Sequence, residues 1–393
     1  MCRFCITVMV RWGTDLTMSA LRTPDEVMGR RRMSPREQHA RQVAVWDGHN
    51  DAIQRFAPFG DSDLRRFVDG DRGGHIDLPR ARRGGLAGGL FAVFVPSAPQ
   101  PDTPDDPEFR LTGDGYEVRL AAPVPQDVAS RAARAQIDAM LRLEMISGGA
   151  IRIVRTADAI EASRRDGVLA VVIHLEGAEP VEPSLANLEE LYRQGLRSIG
   201  ITWSRPNAFG HGVPFRFPAS PDTGPGLTSA GMALVRRCSE LGILVDVSHL
   251  NEAGFWDVAR ITTAPIVATH AAAHAICPVT RNLTDEQLSA IRDSDGLVGV
   301  NFEVSATRPD SHDDPDTPIE VLVAQIDYLV ERVGIDRVGF GSDFDGATMP
   351  DAIGDVAGLP VLIDALRRRG YDRESLEKIA WRNWLRVLRT TWR

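Results

Sequence analysis

Lysine is almost missing from this chain. Lys378 is the only one among 393 residues, so nearly all of the 45 basic residues are arginine. Any chemistry that needs a lysine amine inside a site is thereby confined to one position. Cysteine is scarce too: Cys2, Cys5, Cys238 and Cys277 are too few, in a chain of this length, for a disulfide framework. Cys2 and Cys5 form a C-x-x-C pair with no second pair to follow it, and read as part of an unstructured leader. No run of about 18 apolar residues occurs, which excludes a membrane-spanning helix. The short apolar run at the N-terminus is broken by Arg11 and Asp15, and no small-residue cleavage site follows. The last residues lack the hydrophobic tail of a lipid-anchor signal. No Lys/Arg-rich block appears, so nucleic acid is not an expected partner. The expectation is a cytoplasmic protein with no membrane partner.

What is present is apolar material in a regular arrangement. The hydrophobic fraction is 43%, enough for a large core, and the net charge of −9 is spread along the chain. Eight short runs rich in Val, Ile and Phe recur at residues 43–49, 86–95, 168–176, 198–203, 243–249, 265–270, 297–302 and 337–343. Continuous apolar runs suit strands buried on both faces, as in a parallel sheet. Stretches with helical spacing lie between or after them, at residues 126–146, 227–241, 285–291, 319–333 and 373–388, with Thr228 and Thr284 placed as helix caps. The alternation predicts an α/β fold, a (β/α)8 TIM-type barrel in a single domain over residues 43–393; an open sheet is the other arrangement compatible with it. Residues 1–42 are polar, Arg-rich and aperiodic, and read as a poorly ordered N-terminal extension. Two long loops, 96–125 and 204–226, follow strands and would shape a pocket on the active face.

Metal-ligand residue types close five of the eight runs. The first ends in His49 and Asp51, the third in Glu176, the fifth in His249, the sixth in His270, and the eighth in Asp343 and Asp345. In a closed barrel these ends meet on one rim. His49 and Asp51 are two apart and share a face in extended chain, which makes half a zinc site. Glu176 has two oxygens with which to bridge a pair of metals, and His249 and His270 could complete the second. Two divalent ions about 3.5–4 Å apart can share an activated hydroxide and polarise a carbonyl. Alone, each of these residues is more simply explained as polar surface; as a set at one rim they point to chemistry.

The runs Trp46-Asp-Gly-His-Asn-Asp51, Glu176-Gly, Asp246-Val-Ser-His249, Thr269-His270, Arg281-Asn282 and Gly341-Ser-Asp-Phe-Asp-Gly346, with Arg382 to Leu388 at the end, resemble the membrane (renal) dipeptidase family over about residues 43–388. These are zinc peptidases of the amidohydrolase-like barrel superfamily. The resemblance implies two Zn2+ ions, one held by His49, Asp51 and Glu176 and the other by Glu176, His249 and His270, with other divalent metals compatible. It implies that Arg281, beside Asn282, grips the substrate's free carboxylate, and that Asp343 moves the proton from the bridging hydroxide to the leaving amine, with Asp345 as the fallback. Related barrels often bridge their metals with a carboxylated lysine; Lys378 lies in the last helix, which leaves Glu176 as the bridge. A homodimer is compatible with the family.

The chain departs from the family after the fourth run, where Ile201-Thr-Trp203 replaces a Leu-Thr-His pattern. An indole donates a hydrogen bond but cannot shuttle a proton. Trp203 therefore reads as pocket wall, with His211 in the following loop as a substitute. His174 points the same way as Glu176, one layer down, as filler or support; His274 reads as surface, and His75 has no assigned chemistry. The expected activity is hydrolysis of L-Xaa-L-Xaa or L-Xaa-D-Xaa dipeptides. The rivals are an N-acyl amino acid deacylase or another two-metal amide or lactone hydrolase and, from a different class, a metal-binding protein without catalysis.

Overall fold

The computed structural model describes residues 43–100, 103 and 108–392. The expected N-terminal extension, with Cys2 and Cys5, lies outside the described residues. Eight parallel strands run β1 (Val45–Asn50), β2 (Leu86–Phe94), β3 (Leu169–Glu176), β4 (Leu196–Gly200), β5 (Leu244–Asp246), β6 (Val267–Ala271), β7 (Leu297–Val300) and β8 (Val338–Phe340). Each pairs with its neighbour in the chain, β8 returns to β1 with Asp47 opposite Phe340, and a short ninth parallel strand, Ile151–Ile153, pairs with the start of β3 outside this closure. The longest ladder joins β2 to β3, from Gly88 opposite Ala170 to Phe94 opposite Glu176. The sheet is therefore a closed barrel, and each of the eight apolar runs contributes one wall strand. The fourth starts earlier than its run, at Leu196, because its pairing with β3 begins there, with Leu196 opposite Ile173.

The helices follow the periodicity. Gln126–Ile146 and Ile319–Val333 span the expected residues. Thr228 and Thr284 cap the helices Ser229–Leu241 and Asp285–Asp293, each accepting from a backbone N–H three residues on. The last helical stretch is not uniform: a π-helical segment, Lys378–Arg382, sits between Arg373–Glu377 and Asn383–Thr391. No helix among the described residues is long and apolar enough to cross a membrane.

The core has two compartments. The larger lies between the strands and the surrounding helices, and takes Val93, Ile173, Val245, Val298 and Val338 from the strands. The smaller is the barrel interior, where Trp46, Leu90, Val172, Leu244, Val267 and Leu297 of alternate parity meet Trp381, Trp384 and Leu388 of the C-terminal helix. The Trp384 indole is fully buried and donates through Nε1 to the Phe340 carbonyl at 2.9 Å. It fits because Gly48 and Gly339 stand where a Cβ would strike the indole, and Gly299 where one would crowd it. The final helix thus closes the end of the barrel opposite the rim that carries Glu176 and His270.

The long loops after β2 and β4 are not structureless. Phe109–Leu111, Tyr116–Val118 and Arg216–Phe217 form a small antiparallel sheet joining the two loops. Tyr116 stacks between Phe109 and Phe217, and its hydroxyl meets Ser311 Oγ at 2.9 Å.

Candidate metal centre

Each polar residue of the site stands at or just beyond the C-terminal end of a wall strand. Parity puts Glu176 on the barrel interior, above His174 of the same strand. β1 delivers His49, with Asp51 just after it. Past the ends of β5 and β8 the chain turns sharply: His249 has φ 61° and Asp343 has φ 64°, a left-handed conformation that side chains rarely adopt. Such strain persists only where the surroundings hold it, and it concentrates at functional sites.

The three imidazoles converge on one carboxylate oxygen. The Nε2 atoms of His49, His249 and His270 lie 3.7, 3.2 and 3.7 Å from Glu176 Oε1. His49 Nε2 is also 3.4 Å from Asp51 Oδ2 and 4.0 Å from Asp343 Oδ1. His49 stacks on His270 with ring centroids 3.8 Å apart. Two groups, His49–Glu176–His270 and His49–Asp51–Asp343, each present ligand atoms within 4.8 Å of one another. Gly346 is required beside them, since a Cβ there would run into the carboxylates of both Asp51 and Asp343.

The electrostatics are those of a buried cation site. Burial opposes charge on His49, but the carboxylates of Glu176, Asp51 and Asp343 outweigh it and push its pKa up to about 10. Burial raises Glu176 well above the ordinary carboxylate range, with Asp51 and Asp343 adding to it; Asp343 is raised for the same reasons. His249 and His270 are held well below the usual imidazole range, first by burial and then by the positive neighbours Arg281 and His49. Both shifts favour the neutral ring, which keeps a lone pair to offer. A proton on His49 and a divalent cation would answer the same negative field. Among the described residues both His49 ring nitrogens are buried without a hydrogen-bond partner, so this donor set fits a metal.

The structure brings some other expected residues to the site and leaves others out. Arg281 is buried and donates through Nη2 to the His270 carbonyl, and it stands in the field of Asp343, Asp246, Glu303 and Glu176. Asn282 spends its amide on the carbonyls of Cys277 and Ala306, so it braces the turn beside Arg281. Trp203 is half-buried, its ring centroid 6.0 Å from that of His249, in a wall with Phe94 and Phe215. His211 is exposed and bonds to no member of the site. Asp345 turns away: it pairs with Arg55 and accepts from the backbone of His75 and Ile76, while His75 Nδ1 accepts from the Asp345 N–H. His174 makes no hydrogen bond to Glu176. It meets Ser198 Oγ at 2.9 Å, and burial lowers its pKa to about 3. His274 is partly buried and bonds the Ala219 carbonyl.

Several residues that sequence reasoning passed over hold the site in place. Ser204 Oγ lies 2.9 Å from His249 Nδ1, and Thr269 Oγ1 lies 2.9 Å from His270 Nδ1. Asn301 donates to Asp343 Oδ2 at 3.1 Å. Glu303, tied to Ser305, is pushed up to about 7 by burial and by Asp343. Beneath Trp203, the wholly buried Arg205 pairs with Glu179 at 2.8 Å and donates to Ser97 and the Val95 carbonyl. A hydroxyl directly before a strand-end histidine, as in Thr269-His270, is the one sequence signal that could have flagged such a partner.

Comparison with known proteins agrees with this architecture. The family model described as membrane dipeptidase (peptidase family M19) matches residues 36–392. A crystal structure of dipeptidase AC, a metallopeptidase of family M19, is 44% identical, with a TM-score of 0.83 over 89% of this chain and 99% of that one. A Rhodobacter sphaeroides metallopeptidase, solved with a phosphinate mimic of the dipeptide L-Ala-D-Ala, is 43% identical, with a TM-score of 0.83 over 89% of this chain and 100% of that one. A Klebsiella pneumoniae protein named as an uncharacterized protein in the pqqA 5' region is 52% identical over 257 residues, 65% of this chain and 95% of its own length.

Proposed function

Since the chain belongs to the membrane dipeptidase family, peptidase family M19, we propose that it is a two-zinc dipeptidase that hydrolyses the amide bond of L-Xaa-L-Xaa or L-Xaa-D-Xaa dipeptides. One observation carries the reading: three imidazole nitrogens lie within 3.2–3.7 Å of a single Glu176 oxygen, with Asp51 and Asp343 beside the first of them. His49, Asp51 and Glu176 would hold one zinc, and Glu176, His249 and His270 the other. When bound, the ions supply Lewis-acid polarisation of the scissile carbonyl and a lowered pKa for water.

The protein's own groups do the rest. Arg281 spends one nitrogen on the His270 carbonyl, which fixes the guanidinium and leaves the other donors of its planar fork for the substrate's terminal carboxylate. Asp343 takes a proton from the attacking water and returns it to the leaving amine. Burial raises its pKa toward the working range of such a group. Asn301 and the left-handed backbone hold that carboxylate in one orientation. Trp203, Phe94 and Phe215 line the wall beside His249 and exclude water there.

The test is a screen of zinc-loaded protein against a matrix of L-Xaa-L-Xaa and L-Xaa-D-Xaa dipeptides and N-acyl amino acids. Turnover of free dipeptides, lost on chelation and restored by zinc, is the expected result. Hydrolysis confined to N-acyl amino acids or lactones would replace the dipeptidase reading. Zinc binding with no turnover of any substrate would reduce the protein to a metal binder.

A further inference from the structure

A neutral imidazole can ligate through Nε2 only if its proton sits on Nδ1. For His270 two contacts bear on this: Nε2 lies 3.1 Å from His249 Nε2, where either ring could donate, and Nδ1 lies 2.9 Å from Thr269 Oγ1, which settles the direction. A threonine hydroxyl has one proton to give. Here that proton is taken: Thr269 Oγ1 also lies 2.6 Å from Asp246 Oδ2. Asp246 is buried at the end of β5, and its other oxygen accepts from the backbone N–H of Ser248 at 2.9 Å and of Thr269 at 2.8 Å. Among the described residues the polar neighbours of this carboxylate are donors, apart from His174, whose Nε2 stands 3.8 Å from Oδ2. The hydroxyl must therefore donate to Asp246 and accept from His270.

We propose that Asp246 and Thr269 form a directional relay from β5 to β6 that keeps the His270 proton on Nδ1 and so turns a bare Nε2 toward Glu176. Both are positioning residues that act through His270. The inference rests on the metal reading of the site. His249 shows why the chain of three matters: its Nδ1 meets Ser204 Oγ at 2.9 Å, but among the described residues no second partner fixes which way the serine proton points.

The test uses the full-length protein. With 15N-labelled histidine and His270 assigned from a His270→Gln variant, the metal-free wild type should show His270 protonated on Nδ1. Zinc alone, titrated against a chromophoric chelator, should then show that Thr269→Val weakens one of the two zinc equivalents by about 10–100-fold. Thr269→Ser should restore it. Asp246→Asn is the decisive variant. It keeps the shape but puts an NH2 toward Thr269, which reverses the relay; it should weaken zinc at least as much as Thr269→Val. A spacer role predicts no such loss. Wild-type His270 protonated on Nε2, or Asp246→Asn binding zinc like the wild type, would overturn the relay. The wild-type spectrum decides the matter even if a variant fails to fold. Zinc binding without dipeptide turnover would sink the dipeptidase assignment and leave the relay standing.

Discussion

On the β5–β6 side of the rim, an aspartate holds a threonine hydroxyl and that hydroxyl holds an imidazole. On the β8–β1 side, Asp47 holds the hydroxyl of Ser342 at 2.9 Å and its N–H at 2.7 Å, but Ser342 Oγ goes on to accept from the backbone N–H of Phe344 at 3.1 Å. The same device is finished differently. One side sets the tautomer of a ring; the other sets the turn that carries Asp343. His49, on the second side, has no hydroxyl on either ring nitrogen and takes its orientation from carboxylates and from stacking on His270. The difference is in what each hydroxyl fixes: on one side it holds the ring of His270 through Nδ1, and on the other it holds the left-handed turn at Asp343, whose carboxylate is steadied by Asn301.

Substitutions can break or sharpen this contrast. The largest effect is expected from Glu176→Gln, which removes the carboxylate both sides share: bound zinc by elemental analysis and dipeptide turnover should both be lost. Asp343→Asn acts on the β8 side alone and should lower kcat by about 10²–10⁴-fold, the usual worth of a general acid–base, while both zinc equivalents are retained. Arg281→Met acts on the β6 side and should raise the dipeptide KM by roughly 10–100-fold, since a hydrogen bond to a charged group is worth about 1.5–3 kcal/mol. An unchanged KM would remove Arg281 from carboxylate binding. The smallest effect is expected from Ser342→Ala. It should lower kcat by about tenfold through a displaced Asp343 and leave zinc affinity unchanged. If it weakened zinc as Thr269→Val does, the two sides would not differ in kind.

The wall strands were legible because each is buried on both faces and so reads as an unbroken apolar run; Leu169 to Glu176 carries its whole pattern within eight residues. The site's ligand types were legible because strand ends deliver them to one rim. What escaped depends on partners far off in the chain. The small sheet pairs Tyr116 with Phe217, and neither segment is apolar or long enough to announce a strand. Arg205 and Glu179 look like surface charges until the fold buries them together. Trp384 reads as one more apolar residue of an amphipathic helix; only the glycines on three distant strands show that it enters the barrel. His174 illustrates the limit of parity: alternation gave its direction, but its partners, Ser198 and Asp246, come from two other strands.

The Trp384 plug has a consequence for synthesis. The eight staves of the wall are complete once Phe340 has been made, but the cavity they enclose is filled by residues some forty positions later. A nascent chain halted in between would carry an open apolar cylinder with Gly48, Gly299 and Gly339 bare on its inner face, the kind of exposed surface that draws chaperones or aggregates. Messages cut short within the last helix should therefore yield inclusion bodies rather than a weakened enzyme.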